Sequence, residues 1–205
     1  GRATLRHGRR PEDPVITEAD YQTYLETLRQ RFPRFKVIPK SESRLNGLID
    51  RALRLVTAGG QSSYMSHYVT TLGARIYTPT NWDERPPSVR YCVMRHEAVH
   101  IAQFKRYGWV GMTLLYVLLP LPFGFAAGRA WLEWEAYKET VIATWQVAGR
   151  DAARSDALRA DIVRRFTGPD YGWMWLRGRT IERALTRHLM ALEACPPEPL
   201  DAPGP

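Results

Sequence analysis

Two histidines are separated by three residues in the stretch RHEAVHIAQFKRYG, residues 95–108, and a glutamate follows the first of them. Side chains four residues apart lie on one side of a helix, so the rings of His96 and His100 can converge on one metal ion, for which this pattern favours zinc. Glu97 is placed to take the proton of a metal-activated water, which is the general-base step of hydrolysis. A chain of this composition meets the pattern by chance in on the order of one case in a hundred, so coincidence stays open at this point.

A zinc site needs a third protein ligand, and the acidic stretch AWLEWEAYKET offers three glutamates. Helical periodicity places Glu133 beside Ala130 and Tyr137, on the side that should face the core, and it places Glu135 and Glu139 on the opposite side. A carboxylate on an apolar face is costly unless it is paired or binds a metal. Glu133 is therefore the predicted third ligand, and Glu135 is the second choice.

The other three histidines are weaker candidates. His7 lies in the N-terminal segment and His188 in the last predicted helix. His67 lies in a predicted strand, where a half-exposed sheet residue is the more ordinary role.

The two paired histidines belong to a helix predicted from about residue 88 to residue 107, which Pro86 and Pro87 precede and Gly108 ends. One side of this helix is predicted to face the core and to carry both histidines, and the other is predicted to carry the charges. The core side comprises Val89, Cys92, Val93, His96, Val99, His100, Gln103 and Phe104, and the other side Arg90, Met94, Arg95, Ala98, Ile101 and Lys105.

The chain from residue 107 to residue 128 carries no charge and is long enough to cross a bilayer. A single span would leave Glu133 about 30 Å from His100 on the other side of the membrane, which excludes a shared zinc ion. The predicted geometry is a hairpin, with a helix over about 110–119, a break at Pro120 and Pro122, and a helix over about 129–148 that runs back. A buried hairpin is favoured, and a shallow hairpin that contacts a membrane through residues 108–128 is the alternative.

The whole pattern predicts an α+β, mainly helical fold. A single domain, residues 15–194, is expected between a disordered N-terminal segment, residues 1–14, and a Pro-rich tail, residues 195–205. The other predicted elements are a helix capped by Thr17 and ended by Pro33, a helix from Ser41 or Ser43 to Gly59-Gly60, two short strands around Gly73 within residues 62–79, and two final helices capped by Ser155 and Thr180.

The formal net charge of +8 comes almost wholly from arginines that are spread along the chain. Because the arginines form no basic stripe interleaved with aromatic residues, their distribution predicts a solvated basic surface and no nucleic-acid partner. Cys92 and Cys195 are too few for a disulfide framework, and whether they pair stays open. Because the sequence begins at Gly1 without an initiator Met, the lack of a visible signal peptide leaves a cytoplasmic and an exported protein both open.

The motifs resemble those of the gluzincin branch of zinc metallopeptidases, with His-Glu-x-x-His on one helix, a ligand glutamate on a later helix and a preceding β-hairpin. HEAVHIAQ and EWEAY, within residues 62–145, look more closely like small bacterial zincin-like metallopeptidases. The resemblance implies a zincin-like domain in which His96, His100 and Glu133 bind zinc and Glu97 is the base. It also implies that the edge of YVTTLGARIY binds the substrate backbone as an added strand.

One position departs from the family pattern. Four residues after the ligand glutamate the family more often has Asp, whereas this chain has Tyr137. Tyr137, Tyr171 and His188 are candidates for the donor that stabilises an oxyanion.

The favoured function is therefore a zinc-dependent hydrolase, and specifically a metallopeptidase with a peptide or protein substrate. Two alternatives stay open. One is a zinc-stabilised protein-binding module without catalytic activity, and the other is a peripheral membrane protein anchored by the apolar hairpin.

Overall fold

The computed structural model describes residues 16–42, 69–118, 127–168, 177–198 and 200. Within these ranges the chain is mainly helical with one small sheet, which agrees with the predicted α+β class. The elements in chain order are α1 (Glu18–Arg31), β1 (Lys36–Pro39), a 3₁₀ turn (Lys40–Glu42), β2 (Thr70–Leu72), β3 (Arg75–Thr78), α2 (Pro87–Thr113), a π-helical turn (Leu114–Leu118), α3 (Ala127–Arg154), α4 (Asp156–Thr167) and α5 (Gly178–Ala194).

Several predictions fall outside the described residues. They are the disordered segment 1–14, most of the helix predicted after Ser41 or Ser43, the break at Pro120 and Pro122, and the end of the Pro-rich tail.

Two of the three predicted helix caps are present. Thr17 accepts a hydrogen bond from the Asp20 N–H, and the Asp20 carboxylate accepts one from the Thr17 N–H at 2.8 Å, which is a complete capping box. Ser155 caps α4 in a similar way. The prediction for Thr180 is wrong, because α5 begins two residues earlier, after Arg177, and Thr180 lies in its first turn.

The sheet has the strand order β1-β3-β2. The predicted hairpin is confirmed as β2 and β3, which are joined at Gly73, where a φ of 63° suits a residue without a side chain. Four residues carry too little pattern to predict β1, which pairs in parallel with β3 far along the chain. Among the described strands β2 pairs only with β3 and is an edge strand, and it packs against α2.

Helix α2 is covered on two sides, so the prediction of a single core side is wrong. Met94, Ala98 and Ile101 were assigned to the charged side, but they are buried in a cluster with α1 and the sheet. Two of the three charges that suggested a wet side are paired with neighbouring helices, since Arg90 contacts a glutamate of α1 and Arg95 contacts a glutamate of α3, whereas Lys105 is exposed. A helix between two layers keeps charged residues only where a partner reaches them.

The chain runs back beside α2, as the hairpin prediction required. Gly108, with a φ of 64°, interrupts α2, but helical structure resumes at once and continues through the π-helical turn. Helix α3 then lies antiparallel to α2. Gln103 contacts Leu132, whereas Arg95, which comes earlier in α2, contacts Gln146, which comes later in α3. Within the described parts of the chain, no helix is both long enough and apolar enough to cross a membrane.

The far side of α3 packs on α4 and α5 in a second hydrophobic cluster. Phe166 and Ile162 from α4 and Leu185 from α5 are almost completely buried there. Helix α3 therefore packs against α4 and α5 on one side and against α2 on the other. This packing fixes the distance between α2 and α3, the two helices that carry the candidate metal ligands. The two cysteines are free thiols.

Candidate metal centre

The three predicted ligands meet between α2 and α3. The Nε2 atoms of His96 and His100 each lie 3.7 Å from Oε2 of Glu133. One ligand atom from each residue lies within 4.8 Å of the others, and all three residues are buried. The structure thus brings together a His, His, Glu group that can hold a metal ion.

A threonine on α3 fixes the orientation of the first imidazole. The Thr140 hydroxyl donates to the Ala136 carbonyl at 3.2 Å, so its oxygen is available to accept from Nδ1 of His96 at 3.0 Å. A proton on Nδ1 leaves Nε2 with a lone pair that faces the third ligand. Such hydrogen bonds to the ring nitrogen that does not bind metal are typical of histidine ligands.

A glutamine one turn further along α2 fixes the orientation of the second imidazole. The Gln103 amide donates to the Leu132 carbonyl at 3.0 Å, which sets the orientation of the amide and turns its Oε1 towards Nδ1 of His100 at 2.9 Å. The Nε2 lone pair of His100 therefore also faces the centre. Because Gln103 joins α2 to α3, it fixes a ligand ring and the spacing of the two helices together.

Among the described residues, only one oxygen of Glu133 has a hydrogen-bond donor. The Tyr116 hydroxyl, from the π-helical turn, donates to Oε1 of Glu133 at 2.8 Å. Oε2 is buried and, among the described residues, has no hydrogen-bond partner. A buried carboxylate oxygen without a donor is costly.

The electrostatics of the group favour a positive charge at its centre. Burial by itself would lower the pKa of His100, but Glu133 first and Glu97 second outweigh it and raise this pKa to about 9. Burial would likewise raise the pKa of Glu133, but the two histidines hold it well below its usual range. Without a metal, a proton on His100 supplies positive charge beside Glu133. A metal cation takes the place of that proton and supplies positive charge to all three ligand atoms at once.

The dimensions also suit a metal. A tetrahedral zinc site with ligands at about 2.0–2.1 Å has its ligand atoms ~3.3 Å apart. The two histidine–glutamate separations are 3.7 Å, and all three ligand atoms lie within 4.8 Å of one another, so the group is somewhat wider than a zinc site and side-chain rotations would have to draw it in. The donor set of two imidazoles and one carboxylate is one that zinc binds in catalytic sites.

Glu97 lies next to this group and is held by the sheet. The Thr71 hydroxyl on β2 donates to Oε2 of Glu97 at 2.6 Å. Glu97 is also close enough to His100 to raise the pKa of that ring. The predicted base, the ligand helix and the edge strand therefore meet at one place.

The remaining candidates divide into three groups. Tyr137 packs its ring edge-on against His96, with the ring centroids 4.8 Å apart, so it borders the site. Glu135 forms an ion pair with Lys138 and belongs to no candidate metal group among the described residues. His188 contacts the Lys138 carbonyl and the Trp134 ring, away from the ligands. Residues 7, 67 and 171 lie outside the described residues.

Sequence reasoning missed three side chains around the site, Thr71, Tyr116 and Thr140. Each contributes a hydroxyl from an element whose position relative to α2 is set by the tertiary fold. Only Thr140 had a local signal, because it lies seven residues, or about two helical turns, after Glu133 on the same side of α3.

Comparison of the chain with protein-family models, curated proteins and solved structures found no match. The candidate function therefore depends on the motif and on the geometry of the site.

Proposed function

We propose that this chain is a zinc-dependent hydrolase, and within that class a metallopeptidase with a zincin-like, gluzincin-type site. The observation that carries the proposal is Oε2 of Glu133, a buried carboxylate oxygen without a hydrogen-bond donor among the described residues, which faces two imidazole nitrogens. The hydrogen bonds of both imidazoles leave their lone pairs directed at the same point. A metal ion satisfies all three atoms.

Zinc held by His96, His100 and Glu133 supplies Lewis acidity that activates a water and polarises a carbonyl. The two imidazoles retain 10 % of their side-chain surface, whereas Glu133 retains 1 %. Glu133 is therefore the most deeply buried of the three ligands, and we expect a substrate to approach from the side of the histidines. Structural zinc sites are closed by four protein ligands, whereas catalytic sites keep a position open.

Glu97 acts as the base in this proposal. Its Oε2 accepts from Thr71, which leaves Oε1 to take the proton of the attacking water and to pass it to the leaving amine. Thr71 is a positioning residue, because it touches the base and orients it. Tyr137 borders His96 and is the candidate donor to the oxyanion.

The position of β2 at the edge of the sheet, as far as the described strands go, favours a peptide substrate over other substrates of zinc hydrolases. An extended peptide can add to a strand edge through main-chain hydrogen bonds. The side chain of Thr71 in the same strand reaches the candidate base. A peptide that pairs with β2 therefore runs past Glu97 and the metal ligands, where one of its carbonyls can be attacked.

Metal content tests the site. Protein purified without chelator should contain one zinc per chain by mass spectrometry. The Glu133→Gln variant should lose the zinc, whereas Glu135→Gln, the matched change two residues away, should retain it. Wild-type protein that remains free of metal after incubation with zinc would refute the proposed site.

Glu97→Gln tests catalysis separately from metal binding. Wild type should cleave members of a peptide library, and the variant should bind zinc equally well while cleaving at least about a hundredfold more slowly. If wild type binds zinc and cleaves no member of the library, the peptidase proposal fails and the zinc-stabilised binding module is supported.

A further inference from the structure

Four large apolar side chains are exposed at one end of the α2–α3 pair, where the Trp131 ring of α3 packs on Tyr107 of α2. They are Trp109, Val110, Leu114 and Trp131, with exposed fractions of 61 %, 75 %, 48 % and 45 %. We call them the apolar end. Elsewhere in the described residues, the large exposed apolar side chains are Val89 and Met190, which stand alone near the start of α2 and near the end of α5.

The apolar end belongs to an ordered surface. Val110 and Leu114 are one helical turn apart, on the side of the chain opposite to the buried Met112. The Trp109 ring packs on Phe104, with centroids 5.1 Å apart, and covers the β2–β3 turn, where a Cβ at Gly73 would lie 3.1 Å from the indole. These contacts fix the indole in place while most of it stays exposed.

The surroundings of the apolar end are positive. Lys105 and Arg106 are exposed in the turn of α2 that precedes Gly108, and Arg75 is exposed at the start of β3, beside the turn that Trp109 covers. The sequence contains no aspartate or glutamate between Glu97 and Glu133. The apolar end therefore has basic neighbours and no acidic residue in its own stretch of sequence.

This combination matches the interface of an anionic membrane. Tryptophan is enriched at the depth of lipid headgroups, and basic residues beside an apolar surface attract anionic lipids. We propose that the apolar end docks on an anionic phospholipid surface, with the four apolar side chains in the interface and with Lys105 and Arg106 against lipid phosphates.

Vesicle flotation of the full chain tests this proposal. Wild type should float with vesicles of equal parts phosphatidylcholine and phosphatidylglycerol at low salt, and less with phosphatidylcholine alone or at high salt. Trp109→Ser combined with Trp131→Ser should weaken binding at least about tenfold. Lys105→Ala combined with Arg106→Ala should weaken it roughly 25-fold, from about fivefold for each charge lost.

Helix α5 offers matched controls. Met190→Ser removes another exposed apolar side chain, and Arg183→Ala combined with Arg187→Ala removes two other exposed charges. Both control variants should float as wild type does. Circular dichroism of every variant, which should match wild type, checks that the variants are folded.

Three outcomes would overturn the proposal. One is wild type that fails to float with anionic vesicles at low salt, and another is an equal loss of binding in the α5 controls. The third is a dimer in vesicle-free solution that the double tryptophan variant converts to monomer, because the apolar end would then be covered by a second copy of this chain. Flotation requires neither zinc nor cleavage, so the result is independent of the proposed peptidase activity.

Discussion

Replacing Glu133 by glutamine tests the candidate metal centre through protein stability. The substitution keeps the size of the side chain and removes the charge, so it changes the donor set and little else. Two imidazoles remain on α2, and the amide in place of the carboxylate is a poor zinc ligand. Zinc should therefore stabilise wild type strongly and the variant weakly.

The expected difference follows from the binding equilibrium. Free zinc at a hundred times its Kd stabilises the folded wild-type protein by about 2.7 kcal/mol. For a domain of this size that raises Tm by about 5–10 °C. If loss of the third ligand weakens binding about a hundredfold, the same zinc concentration stabilises the variant by only about 0.4 kcal/mol. The Tm of the variant should then rise by about 1–2 °C.

Differential scanning calorimetry in excess chelator and then in zinc measures both values. Each protein is compared with its own chelated state, so the effect of the substitution on the metal-free fold cancels. Glu135→Gln should show the full wild-type rise. The reasoning is refuted if zinc leaves the wild-type Tm unchanged, or if Glu133→Gln keeps the full rise.

Four further predictions concern the surroundings of the site and the core. Gln103→Leu should weaken zinc binding about 10–100-fold in a chelator competition titration, because the second histidine loses the acceptor for its ring N–H. Thr71→Val should leave zinc content unchanged and slow peptide cleavage about tenfold, because the candidate base loses the hydroxyl that orients it. Met94→Ala should lower the free energy of unfolding in urea by about 2–5 kcal/mol, whereas Val89→Ala should change it by less than about 0.5 kcal/mol. Cys92 should react with a thiol reagent far more slowly than the exposed cysteine, because burial raises the pKa of its thiol to about 11.

Each of these predictions has an outcome that contradicts it. Unchanged zinc affinity in Gln103→Leu would mean that the glutamine does not support the ligand. Thr71→Ser keeps a hydroxyl and should retain most of the activity, so an equal loss in the serine and valine variants would argue against orientation by that hydrogen bond. Equal losses of unfolding free energy in Met94→Ala and Val89→Ala would support the prediction of a single core side for α2. Rapid modification of Cys92 in the folded protein would contradict its burial.

Much of the candidate site could be predicted because its signals are local. The spacing of His96 and His100 places both rings on one side of any helix, whatever that helix packs against. Glu133 was identified because a carboxylate among apolar neighbours is energetically costly. Helical periodicity alone shows which residues are its neighbours. Thr17 and Ser155 capped their helices as predicted for the same reason, since a cap acts within one turn.

The errors arose where distant elements meet. Met94 and Ile101 were assigned to solvent because arginines share their side of α2, and nothing local shows that those arginines are paired across to α1 and α3. Strand β1 exists because β3 offers it a partner, which four residues cannot reveal. Thr180 had the right residue type for a cap, but α5 begins two residues earlier.

The sequence by itself determined which residues can bind a metal, because ligand chemistry and helical spacing are properties of short segments. Only the tertiary structure decided that they meet, since the distance between Glu133 and the two histidines depends on the antiparallel packing of α2 and α3. It also decided how they are oriented. Thr140, Gln103 and Tyr116 each fix one ligand, and Thr71 fixes the candidate base from another part of the chain. The hydrogen bonds that Thr140, Tyr116 and Thr71 make to the ligands and the base leave no periodic signal, because their partners share neither a helix turn nor a strand register. Gln103 lies one turn from His100 on α2, but its amide is oriented by the Leu132 carbonyl of α3.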